Sequence, residues 1–186
     1  AAMRPELERV NRWREASLGI VLETPLARNR EGLESPLGNL FADALLAAVP
    51  DADVAIGMGA RRGGLRADLP AGALTRGSLY DVFPFDNRVV RLVLTGVQLQ
   101  QVLAGEVARR RRGIPSVSGV RVRVTCEADR PEVEIVRSSG ARIDAAETLI
   151  VATTDFFATR ARFGSRATPM ETTLASAPLV RDAAAG

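Results

Sequence analysis

Apolar residues in SPLGNLFADALLAAVP (35–50) recur at helical spacing, with Leu37, Leu40, Phe41, Ala44, Leu45 and Ala48 on one stripe. Ser35 suits the N-cap, Pro36 the first turn and Pro50 the stop. TGVQLQQVLAGEVARRRR (95–112) is a second amphipathic helix. A third, polar and arginine-rich, is predicted in residues 1–16, with Leu7, Val10 and Trp13 at helical spacing. Strands are predicted at SLGIVLETPL (17–26), ADVAIGM (52–58), NRVVRLVLTG (87–96), VSGVRVRVTCEA (117–128), EVEIVRS (132–138) and ETLIVATTDF (147–156). GALTRGSLYDVFPF (72–85) reads as a short strand followed by a short helix that ends at Pro84. ARNREGLE (27–34) is a polar loop and GARRGGLR (59–66) a glycine-rich turn; from about residue 164 the chain is polar, then alanine-rich, and carries no pattern. Strands and helices mix without regular βαβ alternation, which predicts an α+β domain. No internal repeat is present.

The chain has 186 residues, enough for one domain with a short appendage: residues 1–16 as a connector, 17–186 as the domain. At 46% hydrophobic and 25% charged it can bury a core, and no apolar run is long enough for a membrane span. The charged start, AAMRPELERV, lacks the apolar stretch of a secretory signal. All 25 basic side chains are arginine, yet the net charge is only +3 because acids are interleaved with them. No nucleic-acid polymer is therefore expected as a partner. The exception is ARRRRG (108–113), which suits a solvated helix end as well as a phosphate. The single cysteine, Cys126, excludes an intrachain disulfide. The chain contains no histidine. That removes Ser-His-Asp and Cys-His catalysis, and with them the imidazole-rich dimetal centres of phosphatases. A carboxylate-only magnesium site stays open in principle, but no DxD or pair of adjacent acids ends a predicted strand to argue for one, so a binding domain without a metal or cofactor of its own is expected.

Two stretches carry candidate chemistry. In RRGGLR the glycine pair lets the backbone bend sharply, and Arg66 offers a planar fork of donors for phosphate or carboxylate. A structural turn with a surface arginine is the competing reading. In VFPFDNRVV (82–90), Pro84 fixes a turn that holds Phe85 at its tip. Only 6 Phe, 1 Trp and 1 Tyr are present, so two rings at one turn stand out. Phe85 there could stack on a flat ring, or Phe83 and Phe85 could both fold under the next strand, which the residues alone favour. A second pair, Phe156-Phe157, ends the last predicted strand, where neighbouring side chains point to opposite faces.

Taken together, ESPLGNLFADALL and VAIGMGARRGGLRADLPAGALTRGSLYDVFPFDNRVVRLVLTGVQLQQVL resemble the C-terminal domain of the 5'-nucleotidase family. The shared features are an E…LGN…D helix, a GG-x-R turn, a G-x-[apolar]-T strand, a PF-x-N turn and an LTG helix start. Order and spacing match over residues 34–103, and more loosely to about 157. The resemblance implies a nucleotide-recognition domain covalently linked to an N-terminal metallophosphoesterase domain that binds two divalent metal ions. It implies that Phe85 and Phe156 sandwich the base and that Arg66 faces the phosphate end. Arg61, Arg30 and Asn87 complete the implied substrate-binding set. Arg61 replaces the family's usual asparagine, and Arg162 stands where the family has a ribose-binding acid. Relatives of this kind are mostly exported, which implies a periplasmic or extracellular setting. Two alternatives stay open: a family relative acting on a non-nucleotide substrate, such as the thiosulfate-releasing branch of sulfur oxidation, and a non-catalytic binding module.

Overall fold

A computed structural model of the chain describes residues 3–28, 35–57, 64–108, 115–127, 130–160 and 178–185. The elements in chain order are α1 (Met3–Glu15), β1 (Ser17–Leu22), α2 (Pro36–Ala48), β2 (Val54–Ile56), β3 (Gly72–Thr75), α3 (Arg76–Val82), β4 (Val89–Thr95) and α4 (Gly96–Ala108). They continue with β5 (Val117–Ser118), β6 (Val120–Glu127), β7 (Arg130–Arg137), β8 (Thr148–Thr154), α5 (Asp155–Arg160) and α6 (Val180–Ala183). The expected α+β mixture is what forms.

The central sheet has the order β4-β8-β2-β5, with β8 antiparallel to β4 and parallel to β2. β8 lies inside this sheet, and its Leu149, Val151, Ala152, Thr153 and Thr154 are fully buried. Strand alternation sends side chains to two cores. One face carries Val54, Ile56, Leu92, Leu94 and Val151, covered by Leu99, Val102 and Leu103 of α4 and by Val133 and Ile135 of the β6–β7 hairpin. The other carries Ala55, Val89 and Ala152, covered by Leu37, Phe41 and Leu45 of α2 and by Leu79, Val82 and Phe83 at α3.

α2 starts as predicted, with the Ser35 hydroxyl accepting from Gly38 N at 3.0 Å. At 13 residues it would be marginal alone in water, so burial of its stripe, at about 1.5–3 kcal/mol per large side chain, holds it. The stripe turns slightly from the expected one: Ala42 is fully buried and Ala44 only partly, because the backbone of Gly57 passes against Ala42. α1 behaves differently. Leu7 and Val10 are 57% and 48% exposed. The helix is tied down at its C-terminal end, where Trp13 meets Tyr80 edge-on at 5.8 Å and Arg14 Nη2 donates to Asp81 at 2.6 Å. The Asp81 hydrogen bond raises the pKa of Arg14 above its ordinary value, and the Asp81 charge adds to the effect.

The structure corrects three predicted strands. Residues 117–128 divide at Gly119, whose φ of +81° is left-handed; β5 on one side pairs with β2, and β6 on the other pairs with β7. β1 stops at Leu22, leaving Leu26 in an isolated bridge to Leu69. The last strand ends at Thr154 rather than 156, because a helix begins there. The C-terminal stretch, patternless in sequence, contributes an ordered segment at 178–185 with Val180 buried to 2% exposure.

The LTG turn sets Gly96, at the start of α4, close against the backbone of Asp144. A Cβ on Gly96 would lie 2.1 Å from the carbonyl oxygen of Asp144. Gly96→Ala is expected to destabilise the domain by about 1–3 kcal/mol through overpacking against backbone. Urea unfolding checks this: the midpoint falls at unchanged slope, and an unchanged midpoint contradicts it.

Candidate functional site

The β4–β8 register brings two distant stretches together. Val89 pairs with Thr154, so the turn entering β4 and the residues leaving β8 emerge at the same end of the sheet. Asn87 Nδ2 donates to Asp155 Oδ1 at 2.8 Å, and Asp155 N donates to Arg88 O at 3.0 Å. The same Asp155 oxygen accepts from Phe156 N at 2.7 Å, while Thr154 Oγ1 accepts from Phe157 N at 3.0 Å. These two bonds start α5. Thr-Asp is an N-cap followed by an acidic first turn, a signal masked in the sequence by the β-rich run before it.

Each phenylalanine pair divides between interior and rim. Phe83 is 1% exposed and contacts Phe41 with ring centres 5.5 Å apart. Phe85 is half-buried and meets Phe83 at 5.5 Å with an interplanar angle of 79°. Phe157 is buried in the α4-side core, whereas Phe156 is half-buried against the α2-side core, the one that also receives Phe85. The expectation that the second pair faces opposite ways holds, with a helical turn in place of a strand.

Arg66 reaches the same rim. Its amide donates to Val82 O at 2.7 Å, next to buried Leu65, and its guanidinium carbon lies 4.9 Å from the centre of the Phe85 ring. A cation over a ring at an exposed site contributes about 0.5–1 kcal/mol, enough to orient an arginine without immobilising it. Arg28 stands behind it. Its Nη1 donates to Arg66 O at 2.5 Å and its Nε to Asp68 Oδ1 at 3.0 Å, and its side chain is 16% exposed. Arg28 and Arg30 both lie upstream of the LGN helix, where the family carries arginines, and spacing in sequence does not separate them. Arg30, Arg61 and Arg162 lie outside the described residues. Asn87 serves as the tether to Asp155. Among the described residues, no group of three or more Asp, Glu or Cys side chains could hold a metal ion. Nor is any described helix long and apolar enough to cross a membrane. The rim thus offers half-buried ring surface with a cation beside it.

The family described as "5'-nucleotidase, C-terminal domain" matches residues 17–162. The chain belongs to this family. Among its relatives, the trifunctional nucleotide phosphoesterase protein YfkN of Bacillus subtilis (strain 168) is 32% identical over 133 residues, covering 66% of this chain and 9% of YfkN. The structure of a 5'-nucleotidase precursor from Thermus thermophilus superposes with a TM-score of 0.71 at 27% identity, over 85% of this chain and 33% of that one. The sulfate thiohydrolase SoxB of the same species superposes at 0.72 and 20% identity, over 98% of this chain and 34% of that one, a likeness of fold. The chain therefore spans about a third of these solved relatives and a smaller part of YfkN. Within this 5'-nucleotidase C-terminal domain, the LGN, PF-x-N and LTG motifs fall at the Ser35-capped helix, the Phe85 turn and the Gly96 close approach.

The Asn87–Asp155 bond is expected to couple the two rim segments. In a double-mutant cycle of Asn87→Ala and Asp155→Ala, monitored by urea unfolding, the coupling energy is expected at about 0.5–3 kcal/mol. Strict additivity contradicts the tether.

Proposed function

We propose that this chain is the substrate-recognition domain of a 5'-nucleotidase-like phosphoester hydrolase. A base is held between the rings of Phe85 and Phe156, and Arg66 faces the phosphate end. The observation that carries this reading is the placement of both half-buried rings on one core cluster, their segments tethered by Asn87–Asp155, with the Arg66 guanidinium beside Phe85. Arg28, bonded to the Arg66 carbonyl and paired with Asp68, holds the Arg66 backbone in place. Arg61, Arg30 and Asn87 remain in the proposed substrate-binding set by resemblance.

Catalysis belongs to a covalently linked N-terminal metallophosphoesterase domain, whose two divalent ions would supply an activated water. The described residues of this chain bind and orient the substrate and take no part in proton transfer. The nucleotide chemistry named for YfkN agrees with this reading. The thiosulfate-releasing alternative gains nothing from SoxB beyond a shared fold. A periplasmic or extracellular setting goes with the same proposal.

Titration of the chain with AMP, adenosine and ribose 5-phosphate tests it. Phe85→Ala and Phe156→Ala are each expected to cost about 1–3 kcal/mol of affinity for both base-containing ligands. Ribose 5-phosphate is expected to bind far more weakly than AMP. Arg66→Ala is expected to weaken AMP more than adenosine, because its partner is the phosphate. Equal affinities for wild type and both phenylalanine variants would refute the sandwich.

A further inference from the structure

We infer that Arg181, in the C-terminal segment beyond the family match, is a positioning residue of the substrate site that sets the angle at which Phe85 is presented. The inference rests on the reading of Phe85 as a base-stacking ring.

The segment is held to the Phe85 turn along its length. Val89 N donates to Pro178 O at 3.0 Å and Val180 N to Asn87 O at 2.9 Å, and Leu179 forms an isolated bridge with Arg88. Val180 is buried in the cluster that contains Phe83 and Val89. The segment thus adds a short antiparallel piece beside the start of β4, which is the last strand of its sheet on that side. It lies outside residues 17–162, so this brace is additional to the part of the chain that matches the family.

Arg181 makes the brace specific to Phe85. Its Nη1 donates to the Phe85 carbonyl oxygen at 2.7 Å, its Nη2 to Asp86 Oδ1 at 2.5 Å, and its guanidinium carbon lies 5.3 Å from the centre of the Tyr80 ring. Asp86 is 81% exposed, so the ion pair by itself contributes little. The Arg181 side chain is only 13% exposed. A sheltered guanidinium needs its hydrogen bonds satisfied, and the Phe85 carbonyl supplies one directly. The planar fork fixes two successive residues of the turn at once, and Tyr80 limits where the fork can sit. Pro84 restricts the chain before Phe85 through its own fixed φ, and the bond from Arg181 restrains the peptide plane after it. The ring is then pre-oriented before ligand arrives, which is worth affinity because no ordering cost remains at binding.

The full chain is used for the test, with AMP and adenosine as probes. Arg181→Ala is expected to weaken both by about tenfold, the scale of a lost charge-assisted hydrogen bond. The equal effect on the two ligands separates it from Arg66→Ala. In the Phe85→Ala background, Arg181→Ala is expected to have almost no further effect, because the arginine acts through the ring. Arg181→Met keeps the packing but removes the donors, so it carries the test if the alanine variant does not fold; Arg181→Lys is expected to bind better than Arg181→Met. Wild-type affinity in Arg181→Met, with Phe85→Ala impaired, overturns the inference and leaves the sandwich standing. If Phe85→Ala binds like wild type, the sandwich itself fails. The ring resonances of Phe85 then decide the positioning claim without ligand: they shift in Arg181→Met, and identical resonances overturn it.

Discussion

Seven cross-strand pairs between β4 and β8, from Val89↔Thr154 to Thr95↔Thr148, determine what can meet at the candidate site. Strand register is discrete: a slip of one residue would turn every side chain of β8 to the other face. Here that would exchange the side chains that β8 sends to the two cores, setting Leu149 and Val151 on the α2 side and Ala152 on the α4 side, so both cores hold the register. Because the ladder closes at Val89 and Thr154, Asn87 and Asp155 emerge beside each other and hydrogen-bond. The two aromatic pairs, more than sixty positions apart in sequence, reach one rim as a geometric consequence of this pairing.

The scarce aromatic residues are arranged by depth. Phe41 and Phe83 lie in the interior, Phe85 leans on Phe83 from the rim, and Arg66 lies over Phe85. Each ring is fixed by the one beneath it, so the outermost ring has a rigid support although it is half open to solvent. The two phenylalanines of VFPFDNRVV therefore sit at different depths: Phe83 is core, and Phe85 packs on it half-buried at the rim. The energetic division is similar. Burial of Phe83 stabilises the fold, while the exposed part of Phe85 contributes little to stability.

Much of this was legible in the sequence because the signals were local. The Ser35 cap, the α2 stripe, the β4 alternation and the LTG helix start all follow from periodicity and capping chemistry, and the ordered motifs pointed to the family. What was not legible depended on distance or on competing local signals. Thr154-Asp155 carries a helix-start signal, but the β-branched run before it hid the start of α5. Gly119 left no sign that its strand divides between two sheets. Arg28 and Arg181 look like any other arginine in a chain that uses no lysine, and only the fold sets them against the Arg66 and Phe85 carbonyls. In the described part of the tail, 178–185, no amphipathic pattern is needed: Val180 is buried and backbone hydrogen bonds to Asn87 and Val89 hold the segment.

The proposed function reduces to one spatial arrangement, a flat heterocycle between the Phe85 and Phe156 rings with its charged end towards Arg66. A crystal structure of the chain grown with AMP tests it most directly. Adenine stacked between the two rings, with the phosphate on the Arg66 side, is the predicted result. Adenine bound elsewhere on the surface, with the two rings packed against each other and no room between them, would contradict it.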